Sequence, residues 1–218
     1  MKRGEITTQQ IVIIIVLIAS FSVLLLFLFR TDFKEITSEQ LCRNSVILSS
    51  KSRADSLECQ TQYLCLSSGE ICENLKSAEI VKVNEQERVE NVAELMKSCW
   101  YQYGDGEYDF LSGYTSVSSK QCGICSEFIL SEVTGFKEGL ESYLNSKEVP
   151  GTKATYAQHL GFNVLTLPEF EQGKIYAIVF EADVENPTFP GERFVPSLRI
   201  VPVDDLKDEG CDSFFSLA

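Results

Sequence analysis

The nineteen residues from Ile11 to Phe29 carry no charged side chain, and nothing later in the chain repeats that pattern. As a helix this run would extend about 28 Å, close to the thickness of a bilayer's hydrocarbon layer. Ile13, Ile14, Ile15, Leu24, Leu25 and Phe27 would point all around such a helix and leave it without a polar face. The expectation is a membrane-spanning helix over 11–29. A short cytoplasmic N-terminus would lie at 1–10, a juxtamembrane linker at 30–40, and a single extracytoplasmic domain at 41–218.

The flanking charges set the expected orientation. Lys2, Arg3 and the terminal amine precede the run, whereas Arg30 and Lys34 follow it among Asp32 and Glu35. The small basic excess on the N-terminal side predicts a single-pass protein of the cell membrane with its C-terminal domain outside. A cleaved secretory signal fits less well. The apolar core is too long, and the sequence after it, Phe29-Arg30-Thr31-Asp32, has no small-residue cleavage site.

All eight cysteines follow the apolar run: Cys42, Cys59, Cys65, Cys72, Cys99, Cys122, Cys125 and Cys211. An even number in a domain of this size reads as a disulfide framework formed in an oxidising environment. Eight cysteines allow 105 pairings, and sequence does not choose among them. One division keeps Cys42, Cys59, Cys65 and Cys72 as an N-terminal set, with Cys99, Cys122, Cys125 and Cys211 tying the helical part to the C-terminus. Zinc is the competing use. It would need Cys122 and Cys125 with distant partners such as Cys99 or Cys72, because His159 is the only histidine. The reading therefore carries no metal and no cofactor.

The clearest helix begins at Asn84, with Glu87 placed to complete a capping box. Val89, Val92, Ala93, Met96, Cys99, Trp100 and Tyr103 recur on one face, with Glu85, Glu90, Glu94 and Lys97 opposite. Gly104-Asp105-Gly106 ends it. Tyr101, Tyr103, Tyr108 and Tyr114 crowd that turn and form a candidate aromatic surface for sugar or peptide, or else a loop folded over the core. Asp105, Glu107 and Asp109 form an acidic turn there.

Leu41, Val46, Ile47 and Leu48 suggest a short strand, and Cys59 to Cys72 a cross-linked loop or short helix. Phe128, Ile129, Val133, Phe136, Leu140, Tyr143 and Leu144 suggest a helical face after the Cys-x-x-Cys segment, and Tyr156 to Leu160 a short helix. Asn163–Leu167, Lys174–Phe180 and Phe194–Val203 have the Val, Ile, Tyr and Phe content of strands. The expected fold is α+β: one transmembrane helix, then a disulfide-linked domain with a helical layer and a small, mostly antiparallel sheet.

A Cys-x-x-Cys at a helix start can be redox-active, and Cys122-Gly123-Ile124-Cys125 resembles the motif of thioredoxin-like oxidoreductases. That resemblance implies thiol exchange by Cys122 with Cys125 resolving. It stops at the motif, since the preceding strand and the facing cis-proline have no clear counterpart. Lys2-Arg3-Gly4-Glu5-Ile6 before a long apolar helix resembles the processing site of archaeal type IV pilin precursors. That likeness implies cleavage after Gly4 and a filament subunit. It departs from the family at the fifth mature position, Gln9, where pilins usually keep glutamate. The overall arrangement resembles single-pass, cysteine-containing membrane proteins of small-genome archaea.

The formal charge of −13, with no basic run, excludes nucleic acid as a partner. There is no GxSxG, P-loop, Rossmann glycine pattern, HExxH or calcium-loop signature. The leading functional expectation is non-enzymatic: a membrane-anchored extracytoplasmic binding or envelope-assembly domain. Its partners would be the lipid bilayer, other envelope proteins, or further copies bound through the transmembrane helix. A pilin-like subunit and a membrane-tethered oxidoreductase are the alternatives.

Overall fold

The computed structural model describes residues 13, 14, 16–21, 37–52, 57–69, 72, 75, 78–108, 121–161, 167–185, 193–206 and 213–215. The chain divides into two units, Met1–Thr37 and Ser38–Ala218. In the first, residues 13, 14 and 16–21 are helical (α1), and Ile13, Ile14, Val16, Leu17, Ile18 and Phe21 are exposed.

This corrects the expected membrane-spanning helix over 11–29. Among the described residues no helix is long and apolar enough to cross a membrane. Residues 13 to 21 cover about 13 Å at helical rise, less than half a hydrocarbon layer. The rest of the apolar run, and the Gly4 processing motif, lie outside the described residues. The membrane anchor, the bilayer as partner, the single-pass topology with its outside domain and self-association through a transmembrane helix thus find no spanning helix to rest on among the described residues, and the pilin-like N-terminus is not among those residues.

The second unit contains α2 (Ser38–Ser52), β1 (Gln62–Ser67), β2 (Glu79–Lys82), α3 (Glu85–Gln102) and β3 (Gln121–Leu130). It continues with α4 (Phe136–Ser146), α5 (Tyr156–His159), β4 (Ile175–Glu185), β5 (Arg193–Pro202) and β6 (Ser213–Phe215). The strand order is β2-β1-β3-β4-β5. The sheet is mixed, which corrects the mostly antiparallel expectation. β1 runs parallel to both β2 and β3, β6 runs parallel to β3, and β4 is antiparallel to β3 and β5. β1 lies against residues 126–130 of β3, while β6 takes residues 121–123 of the same strand.

Helices cover one face of the sheet. The apolar stripe of α3 docks Val92, Ala93, Met96, Cys99 and Trp100 on Phe128, Tyr176, Ile178 and Phe180 in one core. Its start is capped as the sequence predicts: the Asn84 side chain accepts from the Glu87 amide at 2.9 Å, and the Glu87 carboxylate accepts from the Asn84 amide at 2.8 Å. On the opposite face Cys122, Ala177, Val179, Val201 and Leu206 form a smaller cluster. β4 is therefore buried on both sides, which explains its nearly unbroken apolar run. Pro196 and Pro202 sit on β5, at the end of the strand order, where a missing donor is tolerated.

Three local expectations are revised. Residues 41–48 are helical, because Cys42, Val46 and Ser49 fall at four- and three-residue steps and all are buried. Cys59 to Cys72 contains strand β1. The Cys-x-x-Cys segment lies within strand β3, and the helix after it begins only at Phe136. The short helix at Tyr156 is present, with Thr155 and Gln158 forming its own capping box. The expected strand at 163–167 lies almost wholly outside the described residues.

Candidate functional site

Placement in a strand removes the redox reading of Cys122 and Cys125. Residues three apart on a strand face opposite sides of the sheet. Cys122 belongs to the smaller cluster on the far face, whereas Cys125 belongs to the helix-side core. Cys125 is bonded to Cys99 of α3. Cys122 is disulfide-bonded to a partner outside the described residues. A bulge between Ile124 and Ser126 lets the helix face resume at Ser126 directly after Cys125.

The other bridges are Cys42–Cys59, which fastens α2 to the lead into β1, and Cys65–Cys72, which spans the loop after β1. None of the described cysteines is free, so none supplies a thiolate to zinc. Among the described residues no three His, Cys, Asp or Glu side chains gather as a metal site.

Of the tyrosines around the turn, the three described ones differ in exposure. Tyr103 is fully buried and stacked on Phe180, with ring centroids 4.4 Å apart. Tyr108 is half-buried, and Tyr114 lies outside the described residues. Tyr101 is exposed on the outer side of α3 and carries the Arg43 guanidinium 4.3 Å from its ring centroid. Gly104, Asp105 and Gly106 all adopt positive φ, and Asp105 is held by Arg43 at 2.8 Å. Asp109 is outside the described residues.

Tyr101 and Asp105 stand at one end of a cleft of about 620 Å³ beside α3. Leu64, Leu95, Val149 and Pro150 supply its apolar lining, and Glu39, Glu94, Asp105, Lys97, Asn91, Gln62 and His159 its polar lining. The carboxylates are held in place. Ser98 Oγ donates to Glu39 at 2.6 Å and in turn accepts from Gln102 at 3.1 Å. The Tyr156 hydroxyl donates to Glu94 Oε1, and Lys97 Nζ pairs with Glu94 Oε2. Burial alone would raise the Glu94 pKa. The hydrogen bonds from Lys97 and Tyr156, with the Lys97 charge, outweigh it and hold the carboxyl below its ordinary range. The same contact, added to desolvation, pushes the Tyr156 phenol well above its usual value.

A second, more open hollow of about 670 Å³ lies between the start of α3 and α4, lined by Glu85, Val89, Gly139, Ser142 and Tyr143 among others. Tyr143 and Tyr156 pack with ring centroids 5.5 Å apart. Ring packing from Tyr143 to Tyr156, and the Tyr156 hydroxyl bond to Glu94, therefore link this hollow to the first cleft.

Sequence periodicity places Glu94 and Lys97 on the solvent side of α3 and assigns no chemistry to His159. The structure makes that outer face one wall of a cleft whose other parts come from α2, β1 and the loop after α4. The signal present in sequence was the Glu94–Lys97 pair three residues apart next to Tyr101. Nothing in the sequence indicated that Glu39 and Tyr156 would reach the same place.

Fold and site define a disulfide-bonded α+β domain, with a mixed six-stranded sheet, a helical layer and a mixed-polarity cleft on its flank. Compared with known proteins, the chain matches no protein family, no curated protein and no solved structure.

Proposed function

We propose that this domain binds a small ligand or short segment in the α3 cleft and performs no chemistry on it. The observation that carries this reading is the clamping of Glu94 in the cleft between the Tyr156 hydroxyl and the Lys97 ammonium. A general acid or base works best with a pKa near the operating pH. Glu94 is displaced the other way, by two donors that fix its charge and its orientation. It is built as a fixed anion for recognition.

The cysteines have the matching structural role. Cys99–Cys125 and Cys42–Cys59 tie α3 to β3, and α2 to the strand that forms the cleft's inner wall. The two bridges thus fasten the elements around the cleft to one another, as disulfides do where they form and persist.

The test is an amide-shift titration of the isotopically labelled, oxidised full chain with a panel of free amino acids and polyamines. The expected result is saturable shifts confined to Glu39, Leu95, Tyr101, Thr152 and His159, with every probe recovered unchanged. Shifts confined to other residues, or turnover of any probe, would overturn the reading.

A further inference from the structure

The hydrogen-bond inventory of the cleft is one-sided. Each ionised carboxylate offers about four acceptor positions. In the structure Glu39 receives Ser98, Glu94 receives Tyr156 and Lys97, and Asp105 receives Arg43. Those donors are thereby committed, and two further cleft donors point to backbone oxygens: Asn91 Nδ2 to Glu87 O, and Thr152 Oγ1 to Val149 O. The three carboxylates therefore keep acceptor positions that these donors leave unfilled.

The chain's own Arg43 shows what the lining accepts. Its guanidinium lies over Tyr101, donates to the Tyr101 carbonyl at 2.6 Å and meets Asp105 at 2.8 Å. A planar cation that stacks on an aromatic face and donates to carboxylates is the chemistry already realised at this site.

Net charge points the same way. Glu39, Glu94 and Asp105 meet two cations, Lys97 in the lining and Arg43 on Asp105, which leaves one negative charge over, on a chain of formal charge −13 whose field concentrates cations and repels anions. Leu64, Leu95, Val149 and Pro150 complete the lining with apolar area suited to a short aliphatic stem.

We infer that the ligand of the α3 cleft is an organic cation with several N–H donors on a short apolar stem, an alkylguanidinium or alkylammonium group. This rests on the binding role proposed above and names its chemical class. Such a group is supplied either by an arginine or lysine side chain of a peptide or by a free polyamine.

The experiment compares N-acetyl-arginine methylamide with its neutral isostere N-acetyl-citrulline methylamide, and with free agmatine, on the oxidised full chain. Binding is read from amide shifts and calorimetry. The expected result is that the arginine compound binds at the cleft about tenfold more tightly than the citrulline compound. Its affinity falls with added salt. The double variant Glu39→Gln/Asp105→Asn removes most of the difference while keeping the melting temperature and all disulfides. Asparagine tolerates the positive φ at 105, and glutamine keeps an acceptor for Ser98. Agmatine binding as tightly as the peptide analogue identifies a free cation as the source; agmatine binding weakly identifies a peptide side chain.

Equal affinity for arginine and citrulline compounds at the cleft overturns the cationic assignment and leaves the binding role standing. The same holds if the double variant binds both as the parent does. Absence of cleft shifts with every probe overturns both.

Discussion

At the scale of single residues, the most constrained contact is Tyr103 lying across Gly123. A Cβ on residue 123 would fall 1.7 Å from the Tyr103 hydroxyl and 2.3 Å from its ring carbon. The glycine inside the Cys-x-x-Cys segment is therefore there for the aromatic ring of the residue that follows α3, which stacks on Phe180. Gly123→Ala is expected to destabilise the domain by about 3 kcal/mol, lowering the melting temperature by roughly 10 °C. An unchanged melt would remove the steric account. Tyr156→Phe deletes the hydroxyl that donates to Glu94 and is expected to cost about 1 kcal/mol at neutral pH. Because the Glu94 pKa is depressed in the folded state, its contribution to stability is complete above the ordinary carboxyl range. It is lost as pH falls through the lowered value. Removing the Tyr156 donor raises that value toward the ordinary one, so in the variant the contribution is smaller and its acid-induced loss is complete at a higher pH. Carboxyl-carbon titration of Glu94 by NMR reads the change. The Glu94 side chain is 42 % exposed, which keeps the electrostatic part of the effect small.

At the scale of elements, α3 was legible because local rules and tertiary demands coincide there: a reciprocal cap, an apolar stripe and a glycine-rich stop. Asn84→Ala removes the side-chain acceptor of the capping box and leaves the backbone bond to Glu87; it is expected to cost about 1 kcal/mol, with faster amide exchange confined to the first turn of α3. Protection lost throughout the helix would contradict a local role. β3 was not legible. Ser126 to Leu130 has the i, i+3, i+4 content of a helix face, and the run from Phe136 genuinely is one, so periodicity merged two elements. What decides for a strand is pairing on both sides, parallel to β1 and antiparallel to β4, which is information held elsewhere in the chain. α2 was misread for the reverse reason. Val46, Ile47 and Leu48 have strand character, yet the helix that buries Cys42 and Val46 is the conformation that brings Cys42 to Cys59.

At the scale of the whole molecule, cross-links and a sheet that joins distant segments hold the cleft together. Replacing Cys42 and Cys59 by serine opens a 17-residue loop and is expected to lower stability by about 3 kcal/mol in chemical denaturation. It should also broaden the Glu39 and Tyr101 amides at the cleft. A variant as stable as the parent would show that the bridge adds nothing beyond packing. By itself the sequence determined the α+β class, the helix at α3, and the strands β4 and β5. Each of these follows from local periodicity, which needs no knowledge of neighbours. Only the tertiary structure decided that the Cys-x-x-Cys residues face opposite ways and that the sheet is mixed. It alone showed that the described helical residues of the N-terminal run are too few to cross a membrane, and that Glu39, Glu94, Asp105 and His159 line one cleft. Those facts depend on which strands pair and which faces meet, and pairing is set by contacts between residues far apart in the chain.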